Sequence, residues 1–349
     1  MTTPETAAPP QPLRPTTRRV RREAARHRVV VCRWVCALAL ACLLGACAAS
    51  AQASSFTPGS VGDLDYYLFD PSADDGSRAL PLVVYLHGCN QTAPDAAVGT
   101  RWNQQAEAAG FLVLYPQQSA ARNSIRCWNF SDPTIPARDG GEAKLIADAT
   151  RDVMARHRID ARRVFVLGSS AGGAMSVVMA ATYPDVYAAA ANFAGCGFAT
   201  CLDITGLHAY RAMGPRARPV PLLTAAGTLD LDPLWGFVGV TLGLPQWLYT
   251  SDLADDGMPN GSVSLAPASS VFHPATADSY PHVTQVYNDR HGQELVQFVT
   301  VIGGRHAYFG GDPAGSFTDP KGPALTPLAW AFLSRHPMPT ARSQHSENR

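Results

Sequence analysis

The chain has 349 residues, with 28 Lys plus Arg against 28 Asp plus Glu and 46% hydrophobic side chains. Eight of the basic residues lie in the first 53 positions beside only Glu5 and Glu23, so the remainder carries 20 basic against 26 acidic side chains. That balance excludes a basic patch for nucleic acid or for an anionic membrane surface, and roughly 296 residues with no internal repeat or Thr- or Gly-rich linker suit one large α/β domain.

Residues 1–53 read as a secretory leader. Arg14, Arg18, Arg19, Arg21, Arg22, Arg26, Arg28 and Arg33 precede "WVCALALACLLGACAA", which is short for a bilayer span and ends in small residues. "AQA" (Ala51 to Ala53) is an A-x-A cleavage site, whereas "LGAC" resembles a bacterial lipobox that would leave Cys47 lipidated. The expected destination is therefore extracellular, with an envelope lipoprotein anchored through Cys47 as the alternative. Residues 54–338 are expected to form the catalytic domain and 339–349, ending in "TARSQHSENR", a disordered tail.

Next along the chain, "LVVYLHG" (82–88), "FLVLYP" (111–116), "VFVLG" (164–168) and "VPLLTAAG" (220–227) are short apolar runs, each ended by Gly or Pro. Such runs suit strands buried on both faces of a parallel sheet. Between them, Leu145, Ile146, Ala149, Val153 and Met154 recur at helical spacing over Glu142 to His157. Strand alternating with helix is the doubly wound α/β arrangement.

Four of the eight cysteines fall in the leader, leaving Cys89, Cys127, Cys196 and Cys201. An even number in an oxidising compartment suggests two disulfides, for which three connectivities are open. Cys196 and Cys201 are close enough to clip one loop, which would leave Cys89 with Cys127.

Gly168, Ser170 and Gly172 form G-x-S-x-G where the strand "RVFVL" meets a helix that starts near Ala171. At this sharp turn only the middle residue projects its hydroxyl clear of the sheet, so Ser170 and not Ser169 is the candidate nucleophile. A serine hydroxyl needs a base, and the base needs an acid to orient it. Asp230 and Asp232 follow the strand 220–225, and Asp230, nearer the strand end, is preferred. His306 follows "ELVQFVTVIGG", a strand and a Gly-Gly turn; His273, His282 and His291 are competitors without that setting. The Ala171 amide, next to the nucleophile, and the Cys89 amide, after "LVVYLHG", are the expected oxyanion donors. A Cys89–Cys127 bridge would fix that amide and bring "CWNF" to the site rim.

Together "LHGCNQT", "RCWNF", "GSSAGG", "AAGTLD" and "GGRHAYFGG" resemble the polyhydroxybutyrate (PHB) depolymerase family of esterases over most of residues 60–310. The resemblance implies an α/β-hydrolase fold with a Ser170, Asp230, His306 triad, oxyanion amides at Cys89 and Ala171, a substrate-contacting Trp128, and no metal or organic cofactor. It implies an ester substrate and no obligate protein partner. Two departures stand out: the usual "HGT" before the aspartate reads "AGT", and residues 231–275 are longer and more apolar than the pattern. The family also holds feruloyl and acetylxylan esterases. The expected activity is serine-dependent hydrolysis of hydroxyalkanoate esters, with cell-wall or soluble esters as the alternative substrate and a turnover-free, ligand-binding envelope lipoprotein as the alternative class.

Within the departing segment, "DPLWGFVGVTLGLPQWLY" places Trp235, Phe237, Trp247 and Tyr249 between the candidate acid and base. It reads either as a core helix or as a partial lid in which Trp235 and Trp247 join Trp128 over an apolar cleft. The lid reading, with no added binding module expected, favours soluble hydroxybutyrate oligomers and short acyl esters over crystalline PHB.

Overall fold

A run such as Leu80–Leu86, buried at all seven positions, is stable as a strand only when both of its faces are covered. The computed structural model describes residues 53–340 apart from 73, 75, 133–137, 200–202 and 233–235, and it covers that strand from both sides. The leader up to residue 52 with Cys47, the tail from residue 341, Cys201 and Trp235 lie outside the described residues.

In chain order the elements are β1 (Ser55–Val61), β2 (Leu64–Asp70), β3 (Leu80–Leu86), α1 (Ala93–Thr100), α2 (Trp102–Ala109), β4 (Leu112–Gln117), α3 (Gly141–Arg156), β5 (Ile159–Ser169), α4 (Ala171–Thr182) and β6 (Ala189–Phe193). They continue with α5 (Leu207–Met213), β7 (Leu222–Gly227), α6 (Phe237–Asp256), β8 (Ser269–His273), β9 (His282–Asn288), β10 (Glu294–Val301), the short pair β11 (Tyr308–Phe309) and β12 (Thr318–Asp319), and α7 (Leu325–Ser334). The first ten strands make one sheet of order β1-β2-β4-β3-β5-β6-β7-β10-β9-β8. Strands from β4 through β10 along that order are parallel; antiparallel strands complete both edges. The α/β-hydrolase expectation is met, and each of the four strands read from the sequence is present. No helix among the described residues is long and apolar enough to cross a membrane.

Alternate residues of β3 feed two cores. Leu82, Val84 and Leu86 pack with α3, α4 and Trp247, whereas Val83 and Tyr85 pack with Trp102, Ala106 and Phe332 from the other layer. This is the period-two alternation of a pleated strand between two helical layers.

The helix that follows Ser170 lies unusually close to the sheet. A Cβ added at Gly172 would collide with the Leu86 carbonyl oxygen and come within 2.5 Å of the His87 carbonyl. Both obstacles are backbone, which cannot swing aside. Gly172→Ala should therefore lower stability by about 3 kcal/mol, at the upper end for overpacking, with esterase activity falling in the folded fraction because Ser170 moves with the helix. Thermal unfolding monitored by circular dichroism, with an activity assay at a permissive temperature, checks both.

Candidate active site

The strand β5 ends at Ser169, and Ser170 adopts φ 56°, ψ −123° before α4 begins. A left-handed φ costs a non-glycine residue free energy and persists only where neighbours enforce it; here the Ser170 amide donates to the Phe193 carbonyl at 2.8 Å. The neighbouring serine is differently employed, since Ser169 Oγ lies 2.6 Å from the Tyr85 hydroxyl. Helix α4 has no side-chain cap, and its first intrahelical bond is that of the Ala174 amide to the Ser170 carbonyl at 3.0 Å. The amide of Ala171 consequently stays available at a helix N-terminus, where partial positive charge favours an anion.

The candidate acid and base come from neighbouring parallel strands. Gly227 of β7 sits opposite Val301 of β10, and the two turns that follow are laced together. Thr228 N–H donates to Val301 O at 2.9 Å, Leu229 N–H to Gly304 O at 2.8 Å, and Gly303 N–H to Thr228 Oγ1 at 2.9 Å. Asp230 leaves one turn and His306 the other, meeting with Nδ1 2.5 Å from Oδ2. Asp230 is buried and His306 half-buried. The hydrogen bond to Asp230 raises the His306 pKa above its ordinary 6.5, against the opposing effect of burial and with further attraction to Asp230 and Asp232. Asp232 is exposed; its backbone amide approaches Asp230 Oδ1 at 3.4 Å, and its charge is among those that raise the His306 pKa. Of the competing histidines, His273 and His282 stack on each other at the sheet edge and His291 lies against Arg290.

The loop after β3 approaches Ser170 because residue 88 has no side chain: a Cβ there would stand 3.3 Å from Ser170 Cβ. His87 Nδ1 is 2.8 Å from the Gly88 carbonyl, and His87 Nε2 accepts from the Gln118 amide at 3.1 Å. Those partners require the tautomer with hydrogen on Nδ1. Burial pushes the imidazole pKa down to about 4, so His87 is a neutral brace. Trp128 Nε1 donates to the His87 carbonyl at 3.1 Å. The Glu142 carboxylate accepts from Asn129 N–H at 2.8 Å and from Asn129 Nδ2 at 2.7 Å, and also from Gln118 Nε2. The Cys89–Cys127 disulfide closes this assembly. Cys196 is buried and disulfide-bonded, while its expected partner Cys201 is outside the described residues.

Ser170, His306, Cys89 and Asp232 line one pocket of about 290 Å³. Trp128, Ala171 and Ser170 line an adjoining one of about 170 Å³. The expected role of Trp247 is corrected: it is 1% exposed, packs in the core, and donates from Nε1 to the Val220 carbonyl at 3.0 Å. An indole N–H buried among apolar groups needs an acceptor, and one lies just ahead of β7, away from the pocket. Its helix α6 also holds the chain after Cys196, through Gln246 Oε1 and the Phe198 amide at 2.5 Å. Sequence reasoning missed the bracing role of His87, although it stands within "LHGCNQT", and missed Gln118 and Glu142, which belong to no catalytic motif, and Phe317, which lines the 290 Å³ pocket.

A family model described as "Esterase PHB depolymerase" matches residues 64–242. The chain belongs to this family. Poly(3-hydroxyalkanoate) depolymerase C of Paucimonas lemoignei is 34% identical over 263 residues, covering 73% of this chain and 61% of the relative. Feruloyl esterase B of Neurospora crassa is 34% identical over 228 residues, covering 63% of this chain and 73% of the relative. Among solved structures, the acetyl xylan esterase from Aspergillus awamori shares the fold with TM-score 0.59 at 22% identity, covering 72% of this chain and 94% of that one. The chain thus spans about three fifths of the depolymerase.

Two outcomes are expected of this PHB-depolymerase-family site. Asp230→Asn should lower kcat by about four orders of magnitude through a misoriented imidazole. Asp232→Asn should retain most of the rate but move the acid limb of kcat/KM toward lower pH, since one of the charges that raise the His306 pKa is gone. Rate–pH profiles of both variants check this. For stability, a base with a depressed folded pKa favours folding above its unfolded value of 6.5 and loses that contribution as pH falls toward 4. By that linkage His87 removes about 3 kcal/mol over this interval, so the difference between wild type and His87→Gln in urea unfolding should narrow as the pH is lowered.

Proposed function

We propose that this protein is a secreted serine esterase that hydrolyses hydroxyalkanoate esters, PHB oligomers foremost, through an acyl-enzyme. The observation that carries the reading is the 2.5 Å Asp230–His306 pair in the wall of the pocket where Ser170 stands in left-handed geometry. His306 takes the Ser170 proton as Oγ attacks the ester carbonyl, and Asp230 steadies the imidazolium that results. The tetrahedral oxyanion lies against the Ala171 and Cys89 amides, each worth on the order of a hundredfold to a thousandfold in rate. Collapse expels the alcohol, which receives the proton from His306. Water, deprotonated by the same imidazole, then releases the acid. Asp230 sits in this scheme as orienter, and Trp128 as a wall of the smaller pocket. The leader read at residues 1–53 and the Cys89–Cys127 bridge support export to an oxidising compartment.

A pocket of about 290 Å³ takes one or two hydroxyacyl units of a soluble chain more readily than a strand held in a crystal lattice. The similarity to a depolymerase over 73% of this chain favours hydroxyalkanoates. A second reading, an aryl or cell-wall ester, draws on Phe193 and Phe317 in the pocket lining and on the similarity to a feruloyl esterase.

Product analysis on 3-hydroxybutyrate oligomers, crystalline PHB and a methyl feruloyl ester, with p-nitrophenyl butyrate as a general probe, tests the reading. Oligomer cleavage should lead, Ser170→Ala should abolish turnover of every substrate, and Ser169→Ala should leave it measurable. Comparable loss in both serine variants would place the nucleophile wrongly, and faster clearing of crystalline PHB than of oligomers would defeat the substrate preference.

A further inference from the structure

Two cavities meet at Ser170, and their linings divide the chemistry. His306 and Phe317 line only the larger; Ala171 and Trp128 line only the smaller. Cys89 and Cys127 line both, so the disulfide stands at the divide. On the serine-esterase reading above, the imidazole must hand its proton to the oxygen that leaves, so that oxygen and its substituent lie on the His306 side. The carbonyl oxygen turns toward the Ala171 amide, and the acyl chain takes the other cavity.

We infer that the larger cavity is the alcohol subsite, that it accepts apolar or aromatic alcohol portions, and that Phe317 is the residue that sets this preference. Phe317 has φ 55°, a region that bulky L-residues rarely enter and that is costly for them, yet its side chain is not buried in return: the residue is 53% exposed. A backbone outlier of this kind persists only where its surroundings over-determine it, and such outliers cluster at ligand sites. The surroundings here are specific. Ser316 N–H donates to Asp95 Oδ1 at 2.9 Å, Gln91 Nε2 donates to the Ser316 carbonyl at 2.9 Å, and Tyr308 N–H donates to the Phe317 carbonyl at 2.9 Å. Gln91 Oε1 in turn accepts from Gly88 N–H at 2.9 Å. One buried side chain, Gln91, therefore ties the loop that presents the phenyl ring to the loop that carries the Cys89 amide. Ile125, 51% exposed, adds a second apolar side chain to the same lining. In a polyester, the alcohol portion of the scissile bond is the next hydroxyacyl unit, whose alkyl branch is apolar enough for this wall.

The step structure of the reaction separates this role from a general one. The alcohol is present during acylation and has departed before deacylation, so an alcohol-side residue affects the first step alone. Phe317→Ala removes the ring, and Phe317→Gly removes it while adopting φ 55° without cost. For butyrate esters of methyl, butyl and 2-naphthyl alcohols, both variants should lose about tenfold in kcat/KM on the naphthyl ester relative to the methyl ester, chiefly through KM. The deacylation rate of the butyryl-enzyme, read by stopped flow after a p-nitrophenyl butyrate burst, and the acyl-chain preference across p-nitrophenyl esters should match wild type. Equal loss on all three alcohols, a changed acyl-chain preference, or a changed deacylation rate in Phe317→Gly would overturn the assignment alone. A partition of the butyryl group between water and added methanol that changed with the leaving alcohol would instead overturn the acyl-enzyme reading, and the subsite assignment with it, because a common butyryl-enzyme must partition identically whichever ester formed it.

Discussion

The close approach of helix α4 to strand β3 is the constraint on which the rest of the site depends. Gly172 lies against the carbonyls of Leu86 and His87, the residues that lead into the loop of Gly88 and Cys89. The same contact therefore fixes the height of Ser170, the direction of the Ala171 amide, and the distance from both to Gly88 and Cys89. Oxyanion donors act by being in place before charge develops, and a backbone-to-backbone contact is the stiffest way to place them. The braces around it, neutral His87 with Gln118 and Glu142, hold the loop by hydrogen bonds and line neither pocket themselves.

Strain in this molecule is gathered where ligands would bind. Of the eight described non-glycine residues with positive φ, Asn90, Ser170, Ala194 and Phe317 line the larger pocket, and Arg126 falls between two residues that do. Each is a local loss that the surrounding sheet and hydrogen bonds sustain. The Asp230–His306 pair is the complementary case: both residues sit on turns laced together by backbone bonds, so their meeting follows from the pairing of β7 with β10 and needs little distortion.

The parallel core was legible because its strands are near-continuous apolar runs, as buried-both-sides strands must be. Strand β6, "AAANF", escaped because alanine favours helix and nothing local announces that a sheet surrounds it; tertiary context overrode propensity. β8 and β9 escaped for the opposite reason, being largely exposed or half-buried and lacking a firm alternation. In the candidate site, the placement of Ser170, Asp230 and His306 was readable from turn glycines after strands, whose positions the fold fixes. The aromatic segment was not: the indole of Trp247 has the same residue type in a lid as in a core, and only its bond to the Val220 carbonyl tells them apart. Phe317 carries no signal in sequence, since a left-handed phenylalanine looks like any other until the backbone is traced.

The Cys89–Cys127 bridge spans 38 positions, and within that interval lie α1, α2 and β4, the whole crossover that joins β3 to its outer neighbour. Closing a loop of this length removes about 4 kcal/mol of unfolded-chain entropy on the simplest account, and it does so for one cooperative unit. β1 and β2 hang on the outer side of β4, so their attachment depends on that unit as well. Under reducing conditions this flank should be the first to open, with amide exchange in β1, β2 and β4 accelerating ahead of the central strands. Loosening of the Gly88–Cys89 loop and fraying of the sheet's outer margin would then be one event, because a single crosslink staples both.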